Sequence, residues 1–141
     1  MNNSHCLEPE CQPILTIDLK KYRLRIYKKT LHMLDDPEYI QFLVNPEQKK
    51  LAIKRGTAED IAPQKIYWTT LKDKKQCCEF YSKDFVSRLR YLVKLENGYF
   101  TYKMTGYMND ERDRVFFDLS SSEPINEEVE AEDMSNANSQ V

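Results

Sequence analysis

Few side chains in this sequence combine the type and the spacing that catalysis needs. His5 lies in HCLEPEC with Cys6 and Cys11, and zinc there would require a fourth ligand from Cys77 or Cys78. That spacing is not a familiar knuckle, so the reading favours reduced thiols, with no metal and no other cofactor. His32, between Leu31 and Met33, falls on a short predicted helix and suits a helix-face role better than general-base work. Asp35-Asp36 and Glu59-Asp60 are paired carboxylates in turn contexts, where Asp caps backbone N–H groups. C-x-x-C is absent, and three glycines leave no phosphate-cradling loop. The chain is not expected to be an enzyme.

Anion binding has a stronger signature. Residues 20–29 read KKYRLRIYKK, six basic side chains in ten positions. Strand alternation puts Tyr22, Leu24 and Ile26 on one face and Lys21, Arg23 and Arg25 on the other, with Lys28 and Lys29 following. In the second half, Lys83 opens a predicted helix that adds Arg88, Arg90 and Lys94. These nine residues are the candidate nucleic-acid contacts, with duplex DNA the expected ligand. Arg23, Arg25, Lys28 and Lys29 are the principal phosphate contacts, and Tyr22, Tyr27, Tyr91 and Tyr102 are candidates for stacking. The plainer reading is that amphipathic strands ordinarily turn Lys and Arg to water.

Charge is distributed unevenly. All 21 Lys and Arg fall within residues 14–119, which hold 15 acids, so this body is +6; the flanks carry the other 8 acids, giving −2 overall. A basic body suits an anionic partner, and the acidic tail suits a competing polyanion.

The elements that must position these residues follow from pattern. Residues 1–13 read as a flexible leader, 14–119 as a single α+β domain, and 120–141 as an acidic disordered tail. KYRLRIY is a strand, KKTLHML a short helix, Asp35-Asp36-Pro37 a breaker, and YIQFLV and LAIK a hairpin. A short strand is expected around residues 66–70. CEFY is again a strand, Ser82 an N-cap, and FVSRLRYLVKL a helix with Phe85, Val86, Leu89, Leu92 and Val93 on one face. YFTYKMTGYM and RVFFDL then form a second hairpin. Strand, helix and hairpin occur twice, in units 22–54 and 78–119, which suggests an internal duplication. The expected fold is a curved, mainly antiparallel sheet or half-barrels with two helices packed on it and disordered termini.

A strand entering a K-x-x-L-x-x-L helix (Lys28, Leu31, Leu34) and then a hairpin resembles the half-barrel unit of AbrB-like regulators. Two such units in one chain resemble the MraZ arrangement. The resemblance implies DNA contacts from Arg23, Arg25, Lys28 and Lys29, with Lys83 in the second unit. The pattern is also similar to small uncharacterised proteins of Firmicutes phages and mobile elements. The expected role is thus a non-catalytic, DNA-binding regulator of phage or mobile-element type. The alternative is an inhibitor or adaptor that binds a host protein, such as a defence or replication factor that handles nucleic acid. A homodimer through an exposed strand edge is compatible with either. No apolar run is long enough to span a membrane and no signal peptide is evident, so a cytoplasmic, membrane-free setting is expected.

Overall fold

The computed structural model describes residues 12–71 and 76–125. Their backbone forms ten short strands in two five-stranded sheets, wholly antiparallel in pairing, with two helices. The first sheet runs in the order β10-β7-β1-β2-β6 and the second β5-β3-β4-β9-β8.

β1 (Ile14–Asp18) turns Leu15 and Ile17 inward and pairs on one side with β2 (Arg23–Tyr27), which contributes Leu24 and Ile26. The chain then enters α1 (Lys28–Met33), six residues whose N-cap position, Tyr27, offers no side-chain bond. Thr30 anchors this helix to β1, its Oγ1 accepting the Ile14 N–H at 3.1 Å. Asp35 and Asp36, both with positive φ, stop it, as the breaker predicted. β3 (Tyr39–Asn45) and β4 (Lys50–Gly56) form a seven-pair hairpin that supplies Ile40, Leu51 and Ile53 to the interior.

β5 (Gln64–Lys65) is shorter and earlier than the strand expected at 66–70. Residues Trp68–Leu71 form a 3-10 turn instead, with the Trp68 indole N–H donating to the Pro37 carbonyl at 2.8 Å. β6 (Cys77–Tyr81) lies at the edge of the first sheet against β2. α2 (Lys83–Arg90) starts as predicted: the Ser82 hydroxyl accepts the Phe85 N–H at 3.2 Å. Asp84 in its first turn and Arg88 and Arg90 in its last complement the helix dipole. It buries Val86 and Leu89 but ends at Arg90, so Leu92 and Val93 lie beyond it.

The expected second hairpin is divided between the sheets. β7 (Thr101–Thr105) pairs with β1, whereas β8 (Tyr107–Met108) pairs with β9 (Arg114–Asp118) in the other sheet. The corner is Gly106, where a Cβ would meet the Phe116 carbonyl oxygen at 2.1 Å and the Phe117 ring at 2.8 Å. Tyr102, Met104, Val115 and Phe117 from these strands join residues of both sheets in one core.

Order also continues past the expected boundary at Leu119. A 3-10 turn (Leu119–Ser121) leads into β10 (Glu123–Ile125), which adds to the free side of β7. Pro124 is tolerated there because an edge strand can dispense with an N–H. The leader motif His5, Cys6 and Cys11, and the acidic segment after Ile125, lie outside the described residues. Among the described residues no helix is long and apolar enough to cross a membrane.

Candidate nucleic-acid interface

One buried carboxylate organises the turn between β1 and β2. Asp18, 1% exposed, accepts the backbone N–H groups of Lys20 and Lys21 on Oδ1, both at 3.0 Å, and the Arg23 guanidinium on Oδ2 at 3.0 Å. Tyr22 follows with φ 55, a left-handed conformation uncommon for an aromatic residue. The result is a tight turn that holds Lys20 and Lys21 out into solvent.

Two further segments reach the same end of the first sheet. The Leu19 N–H donates to the Phe100 carbonyl at 2.8 Å, which brings the Phe100 ring within 5.7 Å of the Lys20 ammonium. The Ser82 N–H donates to the Tyr22 carbonyl at 3.0 Å, which places Lys83 5.8 Å from the Tyr22 ring. One helical turn on, Arg88 lies 5.5 Å from the Phe85 ring. Tyr81, Tyr99 and Phe100 are all exposed at this end, Tyr81 at 62%. Lysine, arginine and aromatic side chains therefore alternate over one surface, and each cation sits at the range of a cation–π contact.

The basic stretch predicted as one continuous face is divided into three parts. Lys21 belongs to the turn just described. Arg23 and Arg25 are not on an open face: their side chains are 13% and 5% exposed. Both meet Glu79 on β6, at 3.5 and 3.2 Å, and Arg23 also holds Asp18. The register of β2 against β6 puts Arg25 directly opposite Glu79, and β2 is covered on both faces along residues 24–26. The expectation that these two arginines lead phosphate binding is corrected on that ground: their charge is already met by carboxylates. Lys28 and Lys29 lie at the far end of β2, about 16 Å along the strand from Arg23. Of the second group, Lys83 and Arg88 reach the aromatic end. Arg90 is exposed but, two residues from Arg88, points to another side of α2. Lys94 lies beyond the helix, where its backbone N–H donates to the Ser122 hydroxyl at 3.3 Å. Tyr102, a stacking candidate, is fully buried, its hydroxyl bonded within the 96–99 loop.

A cleft opens beside this end. It lies between β6 and the stretch of β3 that β5 leaves unpaired, since β5 covers only Tyr39 and Ile40. Its volume is about 270 Å³, and Phe42, Phe80 and Phe85 form its apolar lining, with Gln64, Ser82 and Arg88 at its polar positions. Phe42 meets Phe80 edge-on at 5.5 Å and Phe85 at 5.4 Å, an arrangement that fixes all three rings. Sequence reasoning assigned Phe85 only to the helix core, placed Lys20 only as a flank of the basic stretch, and gave Tyr81, Phe80 and Phe100 no site role. The available signal was the interleaving of Lys and Tyr or Phe around Lys20 and around Ser82.

A second polar cluster surrounds His32. Its Nδ1 meets Asp36 Oδ1 at 2.6 Å and its ring stacks 5.8 Å from Trp68. A cavity of about 560 Å³ beside it is lined by His32, Asp35, Arg55, Glu111, Arg112 and Asp113. Arg55 is spent on the carbonyls of Leu34 and Asp35, at 2.6 and 2.9 Å. The Asn109 amide holds the Asp113 carboxyl below its ordinary value of 3.8, with Arg114 and Lys54 assisting against a modest opposing effect of desolvation. Hydrogen bonds from Ser120 likewise hold Asp118 below 3.8. Among the described residues no group of His, Cys, Asp and Glu is placed to bind a metal ion.

Compared with protein-family models, with curated proteins and with solved structures, the chain has no match.

Proposed function

We propose that this protein binds nucleic acid without catalysis, and that the contact surface is the end of the first sheet carrying Lys20, Lys21, Lys83 and Arg88. The observation that supports this reading most directly is the interleaving of these cations with Tyr22, Tyr81, Phe85 and Phe100. None of the four cations has an ion-pair partner among the described residues, in contrast to Arg23 and Arg25. Phosphates need cations that are not already neutralised, and bases need exposed rings on which to stack. A regulatory role of phage or mobile-element type belongs to the same proposal, as does an internal duplication, in which β2-α1 would answer β6-α2.

A fluorescence-anisotropy titration against duplex DNA, single-stranded DNA and RNA at two salt concentrations tests it. Binding at micromolar concentration or tighter, weakening steeply with salt, is the expected outcome. Absence of binding to all three at low salt would overturn it.

One observation favours the alternative of an inhibitor or adaptor docking on a host protein. Among the described residues no strand pairs with β6 on the side away from β2, or with β3 over residues 41–45 on the side away from β4, where Leu43 is exposed. Such edges accept a partner's strand. That reading predicts a complex indifferent to salt and no affinity for any nucleic acid.

A further inference from the structure

We infer that the cleft between β3 and β6 receives one unpaired base, so that the ligand is a single strand rather than a duplex; this rests on the nucleic-acid reading above. The cleft and the cationic end are continuous, because Ser82 and Arg88 belong to both: Ser82 lines the cleft and precedes Lys83, and Arg88 lines it from the next turn of α2. A strand whose phosphates lie against Lys20, Lys21 and Lys83 therefore passes the mouth of the cleft.

The chemistry inside suits a planar heterocycle. Phe42 already holds Phe80 at 5.5 Å and Phe85 at 5.4 Å, so the three rings offer faces and edges with little side-chain ordering left to oppose binding. Gln64 supplies an amide in which only Nε2 is engaged, with the Ala62 carbonyl at 3.4 Å, which leaves its carbonyl oxygen to accept from a base edge. Arg88, over Phe85 at 5.5 Å, can meet a base carbonyl or the adjoining phosphate. A cleft of about 270 Å³ between two sheets admits a ring, not a base pair with its two backbones. A base within a duplex would first have to leave its stack, at a cost of a few kcal/mol. Tyr81, 62% exposed at the mouth, gives the neighbouring base a surface on which to stack.

The test compares four probes on the full chain: an oligothymidine, the same strand in duplex, the same sugar–phosphate backbone without bases, and thymidine monophosphate. Insertion predicts that the oligothymidine binds about tenfold or more tightly than the duplex and the abasic strand, a gap of the size a stacked base supplies. It also predicts that Gln64→Ala and Phe85→Leu each shrink that gap while the salt dependence on the abasic strand is unchanged. Phe85→Leu also alters packing, so the Gln64→Ala variant, whose side chain makes one hydrogen bond, to the Ala62 carbonyl, carries the comparison independently. Equal affinity for the oligothymidine, duplex and abasic strand would overturn base insertion and leave phosphate binding standing. Monophosphate binding as tight as the oligothymidine would overturn the strand assignment. No binding to any probe would overturn the nucleic-acid reading itself, and this inference with it.

Discussion

Arg25 and Glu79 face each other across β2 and β6, and their side chains meet at 3.2 Å in a setting where the arginine is almost wholly enclosed. Glu79 also stands 3.5 Å from Arg23, so one carboxylate serves two guanidinium groups. Glu79→Ala would take this carboxylate from Arg25 and leave Arg23 to Asp18, and the expected loss is about 2–4 kcal/mol, toward the lower end because Glu79 is itself partly exposed. Urea unfolding would read this as a lower midpoint at unchanged slope. A midpoint within error of the parent chain would contradict the structural role given to the two arginines.

Lys20 and Lys21 should behave in the opposite way. Replacing both with Ala leaves stability within about 0.5 kcal/mol, since only their backbone N–H groups engage Asp18. The logarithmic salt slope for a single strand should fall by about 1.4, the share of two phosphate contacts. The control is Lys28→Ala with Lys29→Ala, at the other end of β2, which should leave that slope unchanged. Equal effects from the two pairs would remove the case for a localised interface.

Gly106→Ala is expected to be among the most damaging single substitutions. Its Cβ would sit 2.1 Å from the Phe116 carbonyl oxygen, which is backbone and held in the β8–β9 ladder. Separation of the two sheets at this corner should cost about 3 kcal/mol or more. A thermal midpoint close to that of the parent would show that the corner can yield.

Acid should weaken the fold through Asp118 and Asp113. Both carboxyls titrate below their ordinary 3.8 when folded, Asp118 chiefly through Ser120 and Asp113 chiefly through Asn109. A depressed folded value means that the stabilisation is present above 3.8 and is lost as pH falls through the folded values. The exposed position of both makes the effect small. Carbon-detected NMR titration of Ser120→Ala should show Asp118 moving up toward 3.8, and no movement would refute the assigned cause.

Truncation after Ile125 should tighten nucleic-acid binding at low salt. β10 runs antiparallel to β7 and ends with Ile125 opposite Thr101, which in turn stands opposite Asp18. The polypeptide therefore leaves the described structure at the end that carries Lys20 and Lys21. The five acids beyond that point are removed by the truncation, which shifts the net charge from −2 to +3. Unchanged affinity at low salt would show that these acids do not compete for the surface.

The alternating pattern of KYRLRIY, the Ser82 cap and the β3–β4 hairpin are local features, and each was legible because a few neighbouring residues decide it. β1 was not assigned as a strand, although ILTID became the middle of the first sheet. Its identity as a strand rests on β2 and β7, the latter some ninety positions away. The same limit explains the site. Alternation assigned Arg23 and Arg25 to the face opposite Leu24 and Ile26, but burial of that face and the position of Glu79 depend on how β6 docks. Likewise, the gathering of Lys20, Phe100 and Lys83 requires three segments that only the folded sheet brings together.

The split at Gly106 also governs how the chain can be made. During synthesis, the β3–β4 hairpin can close once Gly56 has emerged, because all its partners are local. β1 waits for β7 until Thr105 has been translated, and β4 waits for β9 until Asp118. Both sheets thus stay incomplete until most of the polypeptide has left the ribosome, and the nascent chain carries uncovered strand edges for nearly all of that time. Such high contact order favours folding in milliseconds to seconds, and it makes the interval before release the period of greatest exposure to misassembly.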